Sequence, residues 1–473
     1  MKIYSLYSAG QFVDSQNYLF VINPFSQEPI GQVSLANEEI LNTSIQKAHL
    51  ALSKTRQLSS YQKYQILSQI ASELEKQKED LALTIALEAA KPYKYALAEV
   101  LRAIQTFTIA AEESKRIPYE YFDLDTTPDQ LPREALVKRF PVGVILAITP
   151  FNFPLNLVAH KIAPAIAAGC PFILKPASAT PITALKLAEI IQNTSWPKEA
   201  ASVLPVSSHL IEKYLTHPFI AKISFTGSPD VGWKIKSLAS SKKVTLELGG
   251  NAATIITSST SIENIIDHCT AAAFAYSGQI CIHTQRFFVH PKHYEKFSEL
   301  LVQKAQSLKF GNPLDKTTDI SVMIDEESAK RTEEWIKEAI QKGAQYILKG
   351  KREKNYHSPT ILTNTNTSMK VNSEEVFAPV VCIEKYNGDI QDAVNKVNDS
   401  KYGLQCGVFT NDIKELQYCF ENIECGAVIH NATSILRLDA MPYGGIKQSG
   451  FGREGVKYAI LEMTEPKLLL KEK

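Results

Sequence analysis

The feature of this sequence that most limits its fold is the alternation of short apolar runs with helix-like stretches from residue 136 onwards. In the first half of this region the apolar runs are VGVILAI, PFILKPA, KISFTGS and VTLELGG. Residues 251–445 repeat the alternation with the runs FFVH, VVCIEKY, CGVFT and AVIHN. Strands that alternate with helices are typical of parallel sheets whose connecting helices cover both faces. The sequence therefore predicts an α/β protein with two doubly wound parallel sheets in two domains.

Two further regions depart from this alternation. Apolar residues recur every three or four positions in several segments of residues 36–116, which predicts amphipathic helices. The polar, proline-punctuated stretch 123–135 is predicted to leave the domain. The C-terminal sequence TEPKLLLKEK places three leucines between charges, and such a run at a chain end needs cover. It either packs as a strand on its own domain or joins the sheet of a neighbouring subunit.

The charge balance argues against two classes of partner. The 51 basic and 50 acidic residues give a net charge of +1, and no long run of one sign occurs. We therefore expect no nucleic-acid partner and no binding to an anionic membrane. The most apolar stretch, 142–174, contains His160, Lys161 and four prolines, which is unfavourable for a membrane span.

The cysteines indicate a reducing compartment. They are scattered along the chain without zinc-binding or thioredoxin-like spacing, so we expect neither a metal site nor a disulfide framework. The N-terminal sequence MKIYSLYSAGQFVDS lacks an apolar core of signal-peptide length. These observations predict a cytoplasmic protein.

Two glycine-rich stretches match nucleotide-binding patterns only in part. GFGREG (450–455) has the spacing GxGxxG, but that motif needs a following helix and an acidic residue about 20 positions later. The chain ends at residue 473, so we predict a flexible turn here instead. GSPDVG (227–232) lacks the Lys-Ser/Thr pair that completes a P-loop.

Six short segments, taken together, carry a family resemblance. They are TPFNFP (149–154), KPASATP (175–181), ELGGN (247–251), SGQIC (277–281), SEEVFAPV (373–380) and MPYGGIKQSGFGRE (441–454). Their order and spacing resemble the aldehyde dehydrogenase superfamily over essentially the whole chain. The resemblance implies a Rossmann-like cofactor-binding domain (1–117 and 142–248), a Rossmann-like catalytic domain (249–447) and a small β oligomerisation element (118–141 and 464–473). It also implies a homodimer or a homotetramer, which favours the intersubunit interpretation of the leucine-rich tail.

The chemistry of this family explains why these residue types occur together. Aldehyde oxidation by this route needs a thiolate nucleophile, a donor to the oxyanion, a nicotinamide hydride acceptor and a base that activates water. The resemblance implies that Cys281 attacks the carbonyl and that its backbone N–H and the Asn152 amide face the oxyanion. It implies that Glu247 activates the water that hydrolyses the thioester, with Glu454 as a second proton relay. Without the resemblance, Asn152 is an ordinary turn asparagine and Glu247 a strand-end glutamate paired with a lysine.

The resemblance also implies a set of NAD- or NADP-binding residues. They are Ile148, Thr149, Phe151, Lys175, Ser178, Gly227, Ser228, Val231, Leu248, Glu375 and Phe377. NAD-selective relatives often have a glutamate at position 178 that repels the 2′-phosphate of NADP. Since Ser178 has no charge, we expect this enzyme to tolerate NADP or to prefer it. The family usually has glycine where this chain has Ala378, which reduces the freedom of the backbone there.

The substrate is less well defined by the sequence. Relatives that act on apolar aldehydes carry an aromatic residue at the tunnel position of His160, so a polar residue there indicates a small polar aldehyde. Arg102 and Arg437 are candidates to bind a carboxylate or a phosphate, although arginines more commonly make structural ion pairs. The sequence is similar to relatives that oxidise lactaldehyde, phosphonoacetaldehyde, semialdehydes or, without phosphorylation, glyceraldehyde 3-phosphate.

Three other functions are compatible with parts of the sequence. A CoA-acylating dehydrogenase resolves the thioester with a thiol, but that branch typically lacks the base that Glu247 supplies here. A thiol hydrolase would use Cys281 without a cofactor, and the cofactor motifs argue against it. A non-catalytic scaffold should have lost Cys281, Glu247 or Asn152, and all three are present.

Overall fold

The computed structural model describes residues 1–128 and 133–472 and confirms the predicted α/β fold. Helices cover the faces of two large sheets, and those in residues 36–116 form where the apolar periodicity predicts them. The helices are α1 (Glu38–Thr55), α2 (Ser60–Lys76), α3 (Lys78–Ala89), α4 (Tyr93–Ser114), α5 (Asn156–Ala168), α6 (Ile182–Gln192), α7 (Ser208–Lys213), α8 (Pro229–Leu238), α9 (Ile262–Phe274), α10 (Tyr294–Ser307), α11 (Glu326–Gln341), α12 (Lys370–Ser373), α13 (Ile390–Asn398), α14 (Ile413–Asn422) and α15 (Val456–Glu462).

The strands are distributed over two large sheets and several small ones. They are β1 (Ile3–Tyr4), β2 (Leu6–Ser8), β3 (Gln11–Val13), β4 (Tyr18–Ile22), β5 (Pro29–Ser34), β6 (Glu120–Leu124), β7 (Arg133–Pro141), β8 (Val144–Ile148), β9 (Phe172–Lys175), β10 (Ala201–Val203), β11 (Ile220–Thr226), β12 (Lys243–Glu247), β13 (Ala253–Ile256), β14 (Arg286–Val289), β15 (Gln345–Leu348), β16 (Arg352–Glu353), β17 (Tyr356–His357), β18 (Thr360–Thr363), β19 (Val380–Lys385), β20 (Tyr402–Gly403), β21 (Gln405–Phe409), β22 (Ala427–His430), β23 (Ile446–Lys447), β24 (Gly450–Phe451) and β25 (Thr464–Glu472).

The first large sheet has eight strands in the order β24-β12-β11-β8-β9-β10-β2-β3. The five central strands, from β12 to β10, are parallel, and antiparallel strands complete both edges. The chain winds from β8 through β9 to β10 and then returns to β11 on the other side of β8. Strand order therefore reverses next to β8, and ligands bind at such a switch point, beyond the carboxyl ends of the strands.

The second large sheet has seven strands in the order β15-β18-β19-β14-β13-β21-β22. All of its pairs are parallel except β15 with β18, which fits the near-continuous apolar sequence of its central strands. Separate apolar cores cover its two faces, one centred on Phe287 and the other on Val408. The two-domain division proposed from the sequence stays a prediction, and the strands of each large sheet fall mainly within one of its ranges.

A buried glutamate connects the N-terminal helices to the loop before α5. Glu99 on α4 accepts hydrogen bonds from the backbone N–H groups of Leu155 (2.8 Å) and Asn156 (3.1 Å). Lys91, which is fully buried, forms an ion pair with the same carboxylate. The first turn of α5 has unpaired N–H groups like any helix, and Glu99 satisfies two of them. The helices of residues 36–116 thereby fix the start of α5.

A three-stranded antiparallel sheet stands apart from the two large ones. β25 pairs with β7 along its whole length, and β7 pairs with β6. The leucine-rich tail therefore forms a strand against residues of its own chain. Leu468, Leu469 and Leu470 nevertheless remain 43–53% exposed. Part of the predicted excursion, residues 129–132, and residue 473 of the predicted oligomerisation element lie outside the described residues.

One local prediction is wrong. GFGREG is not a flexible turn, because Gly450 and Phe451 form β24 and pair with Glu247 and Leu246 of β12. Pairing at the edge of the sheet holds this segment beside the strand that carries Glu247.

None of the helices in residues 1–128 and 133–472 is both long and apolar enough to cross a membrane.

Candidate active site

A turn of unusual backbone conformation precedes Cys281. After α9 ends, Tyr276, Ser277 and Gly278 all have positive φ angles, of 50°, 53° and 69°. A Cβ atom on Gly278 would overlap the carbonyl group of Ala378. Since no side chain fits such a contact, the glycine of SGQIC lets the backbone of the turn approach the 373–380 segment closely.

Cys281 lies partly exposed in the wall of a cavity, and its surroundings are protein rather than bulk water. Withdrawal from solvent raises the pKa of the thiol to about 11. The hydroxyl of Tyr443 lies 3.2 Å from Sγ, and this hydrogen bond and the charge of Arg437 act to lower the pKa. Since the thiolate is the nucleophilic form, these two neighbours favour the reactive state.

Asn152 approaches the same loop from the first sheet. It lies in the loop that follows β8, and its side-chain amide donates a hydrogen bond of 2.8 Å to the carbonyl oxygen of Gln279, two residues before Cys281. Its Oδ1 is buried and has no hydrogen-bond partner within the described chain. The structure thus brings Asn152 against the nucleophile loop.

The two buried carboxylates near the site have opposite electrostatic surroundings. Glu247, at the end of β12, is 3% exposed, and neither of its oxygens has a hydrogen-bond partner in residues 1–128 and 133–472. Burial and the charge of Glu454 raise its pKa well above the usual range. Burial acts in the same direction on Glu454, but an ion pair of 2.7 Å with Lys161 and the charge of Arg437 lower its pKa overall. Glu247 is therefore the carboxylate with the basicity expected of a general base.

The switch point of the first sheet carries a cavity of about 440 Å³. Nine residues predicted to hold the cofactor line the cavity or pack against α8, which forms one of its walls: Ile148, Thr149, Phe151, Lys175, Ser178, Gly227, Ser228, Val231 and Leu248. Leu248 is the one of them that does not line the cavity, and it follows Glu247 at the end of β12. Gly227 and Ser228 lie at the N-terminus of α8, where free N–H groups and the helix dipole favour an anion such as a phosphate.

Unsatisfied polar groups show that this cavity suits a polar ligand. The hydroxyl groups of Thr149 and Thr226 are buried in its wall without a hydrogen-bond partner among the described residues. Val231 is 47% exposed in the wall of the cavity, as a residue that packs on a planar base should be. The pyrophosphate and riboses of a dinucleotide would pair with these hydroxyl groups, and its base would cover Val231. The residues present therefore fit a nicotinamide cofactor.

The segment 373–380 adds the remaining two predicted cofactor residues. Glu375 is half-buried, and its withdrawal from water raises its pKa to about 7; its carboxylate accepts a hydrogen bond of 3.2 Å from the backbone of Gly250. The ring of Phe377 packs edge-on against Phe151, with ring centroids 6.0 Å apart. The positive φ in this segment falls on Phe377 and not on Ala378, so alanine at position 378 causes no backbone strain.

Cys281 lies in the wall of a second, smaller cavity of about 240 Å³. Its lining is mostly aromatic and aliphatic, with Phe153, Leu157 and Tyr276 among the larger contributors. The loop FNF thus places Phe151 in the wall of one cavity and Phe153 in the wall of the other, with Asn152 between them. A cavity of this size accommodates only a small substrate.

Arg437 is a cation in the wall of this cavity whose guanidinium has donors without a hydrogen bond to the described residues. Its side chain is only 6% exposed, and Nε and Nη2 have no hydrogen-bond partner in the part of the chain that the structure describes. The guanidinium lies over the ring of Tyr443, 3.6 Å from its centroid, and Nη2 is 3.7 Å from Glu454. Buried donors are normally satisfied, so these atoms indicate a site for an anionic group of a ligand.

The other two predicted substrate residues are held by one carboxylate. Arg102 donates two hydrogen bonds to Asp439, of 2.7 and 3.2 Å, and His160 contacts the same carboxylate at 2.8 Å. Burial and the charge of Arg437 lower the pKa of His160 to about 4, so this imidazole is neutral at physiological pH. Arg102 lines the cavity, whereas His160 is buried behind it and does not. The polar character of position 160 therefore serves this buried network rather than the cavity surface.

Sequence reasoning missed three groups at the site: Tyr443, Asp439 and the Lys91–Glu99 pair. Tyr443 falls inside one of the six family segments, and its hydroxyl was the signal that could have drawn attention to it. The other groups sit in segments without a motif, so only their contacts in the folded chain identify them.

The arrangement as a whole is that of a cofactor-dependent thiol enzyme, with a dinucleotide-sized cleft, a buried base and a cysteine in a small cavity. The sequence model of the aldehyde dehydrogenase family matches residues 12–469. The chain belongs to this family, and it is an NAD(P)-dependent enzyme that oxidises an aldehyde to an acid.

Individual relatives agree over nearly the full length. The 3-sulfolactaldehyde dehydrogenase of Priestia megaterium is 42% identical over 471 residues, which cover 99% of this chain and 98% of the relative. The crystal structure of aldehyde dehydrogenase 21 from Physcomitrella patens, in complex with the reaction product succinate, is 40% identical with a TM-score of 0.98, covering 100% of this chain and 98% of that one. The glyceraldehyde-3-phosphate dehydrogenase GapN of Methanocaldococcus jannaschii, complexed with NADP, is 37% identical with a TM-score of 0.92, covering 97% and 100%.

The contact at Gly278 generates a stability prediction. We expect Gly278→Ala to destabilise the protein by about 2–4 kcal/mol, because it adds backbone strain and a clash with Ala378. Gly343 is a matched control, since its φ is +103° but no atom lies within 4 Å of the position that a Cβ would take there. Gly343→Ala should cost only about 1 kcal/mol. Chemical denaturation of both variants measures the difference, and equal losses would contradict the close-contact explanation.

Proposed function

We propose that this enzyme oxidises a small aldehyde that carries an anionic group at its far end, producing the corresponding carboxylate. The observation that carries the proposal is Arg437, which lines the cavity that contains Cys281 and whose buried guanidinium has donors without a hydrogen bond to any described residue. A carboxylate, sulfonate or phosphonate two or three atoms from the aldehyde carbon would meet both Arg437 and Cys281 in a cavity of about 240 Å³. An arginine fork binds such groups with two parallel hydrogen bonds.

The known relatives support an anionic or hydroxylated substrate. The names of two of them refer to 3-sulfolactaldehyde and glyceraldehyde 3-phosphate, and a third holds succinate in its crystal structure. All of these molecules are short, and each carries a negatively charged group. Their variety leaves the choice of sulfonate, phosphate or carboxylate to experiment.

In the proposed mechanism the chain's own residues carry out the chemistry on sulfur and water. Cys281 attacks the carbonyl carbon as the thiolate and forms a thiohemiacetal, while its backbone N–H and the Asn152 amide stabilise the oxyanion. A nicotinamide bound by the eleven predicted cofactor residues supplies the acceptor for the hydride that leaves this carbon. The product on Cys281 is a thioester, and Glu247 takes a proton from the water that hydrolyses it. Glu454, whose charge acts on Glu247, is the proposed second proton relay.

The role of Glu247 separates this proposal from its alternatives. Replacing the carboxylate in Glu247→Gln removes the base but leaves the nucleophile, so one cofactor per site should be reduced in a burst. The following steady-state rate should then fall on the order of 10²–10⁴-fold. Stopped-flow absorbance at 340 nm measures both phases, with Cys281→Ala as the control that should show neither.

Two further assays of the native enzyme, one with added CoA and one with an ester substrate, test the alternatives. A steady-state rate in the native enzyme that depends on added CoA would indicate a CoA-acylating enzyme instead. Ester hydrolysis that occurs while no aldehyde reduces the cofactor would indicate a thiol hydrolase.

The raised pKa of Glu247 predicts how turnover depends on pH. Because burial and Glu454 raise this pKa, the ionised base becomes more abundant as pH increases. Where thioester hydrolysis limits turnover, kcat should therefore rise with pH above the range in which an ordinary glutamate ionises. A rate-limiting hydrolysis step whose kcat falls as pH rises above that range would contradict the assignment of Glu247 as the base.

Arg437 provides the test of the substrate class. Arg437→Gln should reduce kcat/KM for succinic semialdehyde on the order of 100-fold, because it removes charge-assisted hydrogen bonds worth about 3 kcal/mol. Propanal has no anionic group, so its kcat/KM should change by less than about fivefold on the same scale. Arg437→Lys keeps the charge without the planar fork, so its kcat/KM for succinic semialdehyde should lie between those of the native enzyme and of Arg437→Gln. An equal loss for both aldehydes would show that Arg437 does not recognise the anion.

We further propose that the enzyme accepts NADP as well as NAD. Ser178 lies exposed in the wall of the nucleotide cavity, and Lys234 lies on the same wall in an ion pair of 2.8 Å with Glu212. Ser178 brings no negative charge that would repel a 2′-phosphate. Lys234 is the cation on this wall that would turn from Glu212 towards such a phosphate. Ser178→Glu should raise the KM for NADP at least about tenfold while changing that for NAD much less. A native enzyme that reduces NAD and refuses NADP would contradict this proposal.

The antiparallel sheet supports an oligomer, as expected from the sequence. Leu468, Leu469 and Leu470 leave apolar surface exposed on β25, and β25 is an edge strand of its sheet. β22 is likewise at the edge of the seven-stranded sheet. Exposed edges and apolar strands favour association, so a second copy of the chain is the proposed cover for this surface.

A further inference from the structure

The hydroxyl group of Tyr443 makes the one side-chain hydrogen bond to Cys281 that the described residues contain. Its oxygen lies 3.2 Å from Sγ, within the distance of a hydrogen bond to sulfur. The two residues are 162 positions apart in the sequence, so this contact arises entirely from the tertiary fold. The proposed mechanism assigns the nucleophile, the oxyanion donors and the base, and it leaves this hydroxyl without a role.

The position of Tyr443 is fixed from two directions. Its backbone N–H donates to the carbonyl oxygen of Glu454 at 3.0 Å, and the N–H of Glu454 donates back at 2.7 Å. The guanidinium of Arg437 covers one face of the ring. Tyr443 itself is 4% exposed. The ring therefore has little freedom to turn its hydroxyl away from Cys281.

Once Cys281 is ionised, the protonation of both partners sets the direction of the hydrogen bond. Burial raises the pKa of the Tyr443 hydroxyl well above its usual range, so it keeps its proton at physiological pH. A thiolate has no proton, and a hydrogen bond to it must be donated by the partner. A phenol held against sulfur in this way stabilises the thiolate relative to the thiol.

The other charges around the sulfur oppose one another. Arg437 favours the thiolate, whereas the nearby carboxylates Glu375 and Glu247 disfavour it. Withdrawal from water is the largest cause that raises the pKa of each of these two glutamates. The hydroxyl of Tyr443 is thus the neutral group that acts on the sulfur through direct contact rather than over a distance.

We propose that Tyr443 is a positioning residue for the reaction, whose hydroxyl donates a hydrogen bond to the Cys281 thiolate and holds the sulfur towards the substrate cavity. This inference rests on the proposed role of Cys281 as the nucleophile. When the sulfur forms its bond to the carbonyl carbon, its negative charge moves to the carbonyl oxygen. The hydroxyl of Tyr443 then loses its preferred acceptor, while the Asn152 amide gains one. The donor is therefore matched to the attacking thiolate and not to the tetrahedral oxyanion.

Alkylation of Cys281 tests the proposal without aldehyde or cofactor. The rate of carboxamidomethylation by iodoacetamide is measured against pH, with peptide mass spectrometry to distinguish Cys281 from the other cysteines. In Tyr443→Phe the profile should shift to higher pH by about one unit, so that alkylation near neutral pH slows about tenfold. An unshifted profile in folded Tyr443→Phe would overturn the proposal.

Tyr95→Phe is the matched control. Tyr95 lines the same cavity, and its hydroxyl makes no hydrogen bond to Cys281. Its alkylation profile should equal that of the native enzyme. A shift as large as that of Tyr443→Phe would attribute the effect to general disturbance of the cavity and would overturn the proposal.

Incorporation of 3,5-difluorotyrosine at position 443 extends the test in the opposite direction. Fluorination makes the phenol a stronger donor with little change in size, so the alkylation profile should move to lower pH. A shift to higher pH or none at all would contradict donation to the thiolate. This variant also serves if Tyr443→Phe does not fold.

Steady-state kinetics supply the second readout. Tyr443→Phe should lower kcat/KM for succinic semialdehyde and for propanal by similar factors, because the hydroxyl acts on the sulfur and not on the anion. A loss restricted to the anionic aldehyde would instead make Tyr443 a substrate-binding residue. If no aldehyde is oxidised by the native enzyme, the proposed function fails, while the alkylation profiles still decide the hydrogen bond.

Discussion

The buried ion pair between Lys161 and Glu454 determines how charge is distributed in the active site. A carboxylate withdrawn from water is costly unless a cation or hydrogen-bond donors compensate it. Lys161 compensates Glu454, and no cation is left in hydrogen-bonding contact with Glu247 within the described chain. Two carboxylates close to one another thus acquire opposite pKa shifts, one lowered and one raised. The raised group is the one that lies on β12 at the carboxyl edge of the sheet, where the proposed mechanism needs a base.

Backbone geometry at the site follows a second constraint, which is close packing between loops from different sheets. The turn before Cys281 contains three consecutive residues in the left-handed region, and Gly278 touches the carbonyl of Ala378. Left-handed backbone in residues other than glycine is unfavourable, so contacts elsewhere must hold it. Ser277 donates to the carbonyl of Ser321 at 2.7 Å, and Tyr276 donates to that of Ala89. The nucleophile loop is therefore fixed by three separate parts of the chain.

The two arginines of the substrate cavity show why residue type alone does not identify a binding group. Arg102 and Arg437 both line the cavity, but Asp439 takes up the donors of Arg102 in a bidentate pair. Asp439 also accepts from Asn156 and contacts His160, so its pKa falls well below the usual range although burial opposes this. The negative charge of Asp439 is thus compensated within a structural network, whereas Arg437 has an ion pair with Glu454 but keeps donors without a hydrogen bond among the described residues. Pairing decides which arginine remains available to a ligand.

The sequence by itself determined the local elements and, through six short segments, the family. Apolar periodicity was sufficient for α1–α4, and continuous apolar runs were sufficient for the buried parallel strands, because both patterns depend on near neighbours in the chain. The segment SGQIC also placed Gly278 correctly, in the turn that precedes Cys281. Tertiary structure alone decided that His160 lies behind the substrate cavity, that Arg102 is paired and that Tyr443 contacts Cys281. The partners in these contacts are separated by 162 to 337 positions, and the loops that bring them together meet only when the two sheets have packed.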